Sequence, residues 1–240
     1  DVNRSDGVLV SDATGTGGLA FGRVRVGESL RRTLVIFNNG NGLLQLTELR
    51  RTGDGVAAFT RPQFPSQLQP GQSESLTIAF TPEAEGDFAA DLVFVTDSEA
   101  TPELRVPLTG RGVLTKVSVN PGEVDYGLRE VGVRETRLVT VKNDGEITEQ
   151  VKVTPFPNQS PHYQLGDVLD ENGFVVLDPG ASAELPVVFA PQFAGSSFTS
   201  SIEVLPCPTC AITEVPLTGS AVAAFLTVEP TDCLDFGLVN

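Results

Sequence analysis

Three cysteines, one histidine and a surplus of carboxylates are the groups with which this 240-residue chain could do chemistry. Cys207-Pro208-Thr209-Cys210 has a spacing shared by disulfides, metal sites and thiol redox centres, and each makes a different demand on its surroundings. A redox pair opens a helix after a strand, whereas Ala211-Ile212-Thr213-Glu214-Val215 reads as strand. Zinc takes four ligands; Cys207, Cys210, Cys233 and His162 would make such a set on paper, but they come from distant loops. A disulfide requires Cα atoms within about 7 Å. Two residues three apart on a straight strand lie about 10 Å from each other, so the bond requires a reversal at Pro208-Thr209. A disulfide between Cys207 and Cys210 is the expectation, with free thiols, metal and redox as the alternatives. Cys233 is left without a partner.

The remaining candidates are weaker. His162, in Ser160-Pro161-His162-Tyr163, lacks the neighbours that acid–base or nucleophilic chemistry uses, so a loop histidine of no special role is expected. Asp167, Asp170 and Glu171 precede Gly173 and suggest calcium in their oxygen chemistry. Their spacing is not that of a helix–loop–helix site, and a solvated acidic loop is the simpler expectation. Gly15-Thr16-Gly17-Gly18-Leu19-Ala20 fits a dinucleotide fingerprint, which requires a helix to start at the glycines. Phe21 to Gly27 alternates with period two instead, so no cofactor is expected.

Charge narrows the partners. The chain carries 16 basic and 31 acidic residues, a net of −15. Residues 1–112 contribute −4, from 10 basic and 14 acidic groups, and residues 113–240 contribute −11, from 6 and 17. Nucleic acid and anionic membrane both call for a positive face, so neither is an expected partner; a cationic partner is compatible. No apolar run approaches the ~20 residues of a membrane helix, so no membrane insertion is expected in this stretch. Trp and Met are absent, while Gly and Pro number 24 and 17, a composition of short strands and turns.

The elements that must position these groups come as a repeat. Leu68-Gln69-Pro70-Gly71, Phe80-Thr81-Pro82 and Val106-Pro107-Leu108-Thr109-Gly110 recur 109 residues later as Leu177-Asp178-Pro179-Gly180, Phe189-Ala190-Pro191 and Val215-Pro216-Leu217-Thr218-Gly219. Phe21-Gly22 recurs as Tyr126-Gly127 and again as Phe236-Gly237. A fixed offset across separate motifs marks an internal repeat. Each copy reads as about seven short strands with turns between them, the pattern of an immunoglobulin-type sandwich. Val8-Leu9-Val10 and Val117-Ser118-Val119 open the copies. Asn38-Asn39-Gly40 and Asn143-Asp144-Gly145 read as tight reversals through residues tolerant of positive φ. Leu76, Ile78 and Phe80, like Leu185, Val187 and Phe189, share one strand face and are expected in the core. Glu130-Val131-Gly132 is expected to mark a shift or bulge of the second copy's strand relative to Val24-Arg25-Val26-Gly27. Aligned on Leu-Thr-Gly, the Cys207–Cys210 stretch replaces Ser98-Glu99-Ala100-Thr101 in the loop between the last two strands.

The ordered set Phe-Gly-x-Val-x-Val-Gly, Asn-x-Gly, Leu-x-Pro-Gly, Phe-x-Pro and Val-Pro-Leu-Thr-Gly resembles the ASH and major-sperm-protein-like domains of ciliary and centrosomal proteins. It is most similar to the bacterial "choice-of-anchor D" repeats of secreted or surface proteins. The resemblance covers about residues 8–240. It implies a β-sandwich without catalytic residues, in extracellular tandem arrays or in cytoplasmic scaffolds, and carries no ligand site.

The chain is therefore expected to be all-β: tandem immunoglobulin-like antiparallel sandwiches arranged end to end, with modules at 1–112 and 113–222 and a third begun at 223–240. Gly110, Arg111 and Gly112 are the expected interdomain hinge, short enough to limit bending. The expected role is that of a non-enzymatic spacer and protein-binding scaffold of a bacterial cell-surface or secreted protein, whose partners are neighbouring modules and a protein or surface. An adhesin for carbohydrate, with or without calcium, and an intracellular ciliary scaffold are the alternatives.

Overall fold

A computed structural model describes residues 8–11, 18–99 and 101–224. The chain divides into two compact units, Asp1–Thr115 with Gly145–Ile147, and Lys116–Asp144 with Thr148–Asn240. The Gly15–Gly17 part of the dinucleotide pattern, Cys233 and the Phe236-Gly237 mark lie outside the described residues; Gly18 leads directly into strand.

The first module contains β1 (Val8–Ser11), β2 (Leu19–Arg25), β3 (Leu30–Asn38), β4 (Leu44–Thr52), β5 (Gln67–Leu68), β6 (Ser73–Phe80), β7 (Gly86–Thr96) and β8 (Glu103–Val113). They form two sheets, β1-β3-β6 and β2-β8-β7-β4-β5. The second module contains β9 (Val117–Asn120), β10 (Val124–Glu130), β11 (Glu135–Asn143), β12 (Glu149–Pro155), β13 (Tyr163–Leu165), β14 (Phe174–Leu177), β15 (Ser182–Phe189), β16 (Gly195–Leu205) and β17 (Thr213–Val222). Its sheets are β13-β15-β11-β9 and β10-β17-β16-β12-β14. Among the described residues the only helical element is the single 3₁₀ turn Val56–Ala58. Each module is thus a two-sheet immunoglobulin-like sandwich.

Period-two alternation places one face of each strand inward. Leu76, Ile78 and Phe80 are buried, as are Leu185, Val187 and Phe189. In the first module Phe21, Phe59 and Phe80 meet ring against ring. Tyr126, Tyr163 and Phe189 take the same places in the second.

Contrary to the antiparallel expectation, the sheets are not wholly antiparallel. β2 runs parallel to β8, and β10 runs parallel to β17. The opening segment of each module first pairs with its second long strand and then crosses to lie beside the last one. Alternation reports which face is apolar and is silent on a partner's direction, so the parallel pair left no mark in the sequence.

The expected difference between the copies at Glu130-Val131-Gly132 is absent. Both registers slip at the same place, between Ala20 and Arg23 and between Asp125 and Leu128. Gly22 and Gly127 lie there at φ 68° and 62°. Gly27 and Gly132 then donate to Pro82 O and Pro191 O, each at 2.9 Å. What changes is the chemistry: Val24 and Leu30 are replaced by the ion pair of Arg129 with Glu135.

The Asn-rich reversals also differ from expectation. Asn38, Asn39, Gly40, Asn143, Asp144 and Gly145 are not among the positive-φ residues. Instead Asn38 and Asn143 are fully buried at the ends of β3 and β11. Their Nδ2 groups donate to Leu68 O (2.9 Å) and Leu177 O (2.8 Å). Their carbonyls accept from Gly71 and Gly180, both at 2.8 Å. Each asparagine bolts its strand end to the Pro-Gly turn, and it is Gly71 and Gly180, at φ 75° and 80°, that use the left-handed region.

Candidate functional site

Gly110, Arg111 and Gly112 lie inside β8, paired with Phe88, Asp87 and Gly86 on β7. On the other side Arg111 and Gly112 pair with Arg23 and Val24 on β2. Residues 114–116 connect β8 to β9. The two glycines answer close approach rather than bending: a Cβ on Gly112 would lie 2.1 Å from Ala84 O, and one on Gly110 would lie 2.6 Å from the Phe80 ring.

Asp167, Asp170 and Glu171 do not converge; among the described residues no three His, Cys, Asp or Glu side chains could hold a metal. The carboxylate of Asp170 is in use. Its Oδ1 accepts from Asn172 N (2.9 Å) and Phe174 N (2.7 Å), while Asp170 N donates to Phe174 O (2.9 Å). The loop folds back over β14, which is the edge of its sheet, and satisfies backbone groups that a bare edge would leave open. Asp167, Asp170 and Glu171 are all exposed, as a solvated acidic loop would have them, and Asp170 in addition shapes its own turn.

His162 lies in the turn before β13, as expected of a loop residue, but it is buried there. It is 5% exposed and sits against Phe193 and Phe198, ring centroids 4.7 and 4.2 Å away. Gln192 N donates to its Nδ1 at 3.4 Å, and burial pushes its pKa below the ordinary histidine value. Tyr163 beside it is buried too, and burial raises its pKa to about 12. The sequence carried a faint signal for this in Phe193 and Phe198, which become neighbours of His162 only in the fold.

Cys207 and Cys210 form a disulfide, with Cα atoms 5.0 Å apart. Cys210 N donates to Cys207 O at 3.0 Å, closing the turn between β16 and β17. In the first module the corresponding turn is closed by side chains. Thr101 N donates to Ser98 Oγ (3.1 Å), and Thr96 Oγ1 donates to Thr101 O (2.5 Å). A covalent bond in one copy thus stands where the other has a hydroxyl network.

On the first module Thr52, Asp54, Asp87, Asp91, Pro107 and Thr109 contribute to an open groove beside the Gly53–Gly55 turn. Its charged lining is wholly acidic, and Asp87 is already paired with Arg111 at 3.1 Å. Among the described residues no helix is long and apolar enough to cross a membrane.

Residues 7–104 match the family model described as "ASH: Abnormal spindle-like microcephaly-assoc'd, ASPM-SPD-2-Hydin". The ASH resemblance is therefore carried by the first module. A 92-residue stretch is 33% identical to "Cilia- and flagella-associated protein 74" of Chlamydomonas reinhardtii, covering 38% of this chain and 5% of that protein. Among solved structures, the "ASH / PapD-like domain of human CEP192 (PapD-like domain 7)" is similar at 16% identity and a TM-score of 0.35, over 46% of this chain and 88% of that one. A protein of unknown function from Porphyromonas gingivalis W83 is similar at 16% identity and a TM-score of 0.35, over 89% of this chain and 99% of that one. The fold assignment rests on the strand pairing described above.

Proposed function

We propose that this chain is a non-enzymatic spacer and interaction segment of a larger secreted or cell-surface repeat protein, of the choice-of-anchor D kind. Its modules would be arranged end to end with further modules and would present sandwich faces to a protein or surface partner. The observation that carries this reading is the Cys207–Cys210 disulfide at a turn that the first module closes without covalent chemistry. Disulfides persist in oxidising compartments, where locking a hairpin tip is useful. The non-enzymatic part is supported by the one histidine, which is buried among rings rather than presented to a substrate.

A second reading, an intracellular scaffold of the ciliary kind, is favoured by the similarity to the Chlamydomonas protein. A calcium-dependent adhesin is disfavoured by the engagement of Asp170 with its own loop. Thiol trapping in the producing cells decides between the first two. Alkylation at harvest without reductant should leave Cys207 and Cys210 unlabelled, and labelling should appear only after reduction. Full labelling of both at harvest would replace the secreted reading with the intracellular scaffold.

A further inference from the structure

We propose that His162 is a proton-sensitive latch: neutral, it seats the segment 156–165, β13 included, against β15, and protonated, it leaves its aromatic seat and frees the β15 edge. The inference concerns the second module alone and does not depend on the function proposed above.

The geometry is that of a latch. His162 O accepts from Ala190 N at 2.7 Å, directly next to the β13–β15 ladder, in which Tyr163, Gln164 and Leu165 pair with Phe189, Val188 and Val187. The imidazole packs on Phe193, itself 58% exposed, and on Phe198. Gln192 N donates to Nδ1, a contact that requires this nitrogen to be unprotonated. Gln192 Nε2 reaches Pro161 O at 3.5 Å on the same segment.

Among the described residues no counter-ion is at hand for a charged imidazole. The segment 155–163 (PFPNQSPHY) and the turn 190–194 (APQFA) contain no charged residue. The charged residue of β16 is Glu203, which lies opposite Glu214 on β17. That of β15 is Glu184, which lies opposite Thr140 on β11. The titratable neighbour, Tyr163, donates its hydroxyl to Phe198 O at 2.8 Å. Burial alone acts on the imidazole, and it disfavours the charged form.

The segment is also held away from its relaxed conformation. Phe156 and Gln159 have φ of 49° and 54°, in the left-handed region that side chains disfavour. Asn158 ties the loop down through its Nδ2 to Thr199 O and through Ser200 Oγ to its Oδ1. Losing the histidine seat lets this strain relax and exposes backbone groups of Val187–Phe189, a free strand edge open to pairing. The first module supplies an internal control. Ala58 occupies the place of His162, its carbonyl accepting from Thr81 N at 2.8 Å, and has nothing to titrate.

The sign follows from the direction of the shift. With the folded pKa below the unfolded one, the latch is at full strength above the unfolded value of about 6.5 and weakens as pH falls from there toward the folded value. The test is residue-resolved amide exchange on the whole chain from about pH 7.5 to about pH 5, with the imidazole titration followed by NMR on the same samples. The protection of Ala190 should fall relative to that of Thr81 in step with protonation of His162. In His162→Gln the ratio should not change with pH. A flat ratio in the wild type, or a protonated His162 with Ala190 still protected, overturns the latch. Should His162→Gln fail to fold, the wild-type titration alone decides.

Discussion

Gly110 lies against the ring of Phe80 so closely that a Cβ there would come within 2.6 Å of it, and Gly219 meets Phe189 in the same way at 2.8 Å. The Phe of Phe-x-Pro and the Gly of Leu-Thr-Gly are therefore one device: the aromatic ring fills the core, and the missing side chain on the last strand leaves it room. Gly110→Ala and Gly219→Ala should each destabilise their own module by about 1–3 kcal/mol, the usual range for overpacking. Denaturant unfolding of each variant measures it, and an unchanged midpoint would mean the rings shift freely.

The rings themselves should matter more. Phe80 and Phe189 are fully buried. Phe80→Ala or Phe189→Ala leaves a cavity and should cost about 3–5 kcal/mol. Urea transitions showing a loss below about 1 kcal/mol would contradict their place at the centre of the cores.

Asn38 and Asn143 carry buried amides that hold strand ends to turns. Asn→Ala at either should cost about 1–3 kcal/mol, because it leaves the carbonyl of Leu68 or Leu177 without that donor in a buried place. Faster amide exchange at Gly71 or Gly180, whose N–H groups bond the same asparagine's carbonyl, would localise the damage.

The Cys207–Cys210 bond closes a very small loop, so its contribution should sit at the low end for disulfides, about 2 kcal/mol. Reduction should lower the stability of the second module by no more than that. It should loosen the tip between β16 and β17 and leave the Ser98–Thr101 turn of the first module untouched. Hydrogen exchange with and without reductant reports both turns in one experiment.

Acid should weaken the second module through Glu135. Arg129, with Arg137 at 2.9 Å, holds that carboxyl down to about 2 from an ordinary value of 4.5. A depressed folded pKa means that the unfolded chain takes up the proton first. The contribution is therefore present above about pH 4.5 and is lost as pH falls toward the folded value. Glu135→Gln should flatten that part of the pH dependence of second-module stability, and a slope unchanged from wild type would remove the pair from the explanation. The corresponding Val24 and Leu30 of the first module have nothing to titrate.

The repeat, the sandwich class, the inward faces ending in Phe80 and Phe189, and the hairpin turn at Pro208-Thr209 were legible from residue spacing alone. They depend on local periodicity and on turn chemistry, both of which act within a few residues and so are written into consecutive positions. The parallel pairing of β2 with β8, the fit of Gly110 under Phe80, the strand-end bolts of Asn38 and Asn143, the capping of the β14 edge by Asp170 and the aromatic seat of His162 were decided only by the fold. Each joins residues far apart along the chain or sets a direction that alternation does not encode. Whether a glycine bends, turns or makes room, and whether an asparagine reverses a chain or anchors it, depends on which atoms the other sheet brings within reach.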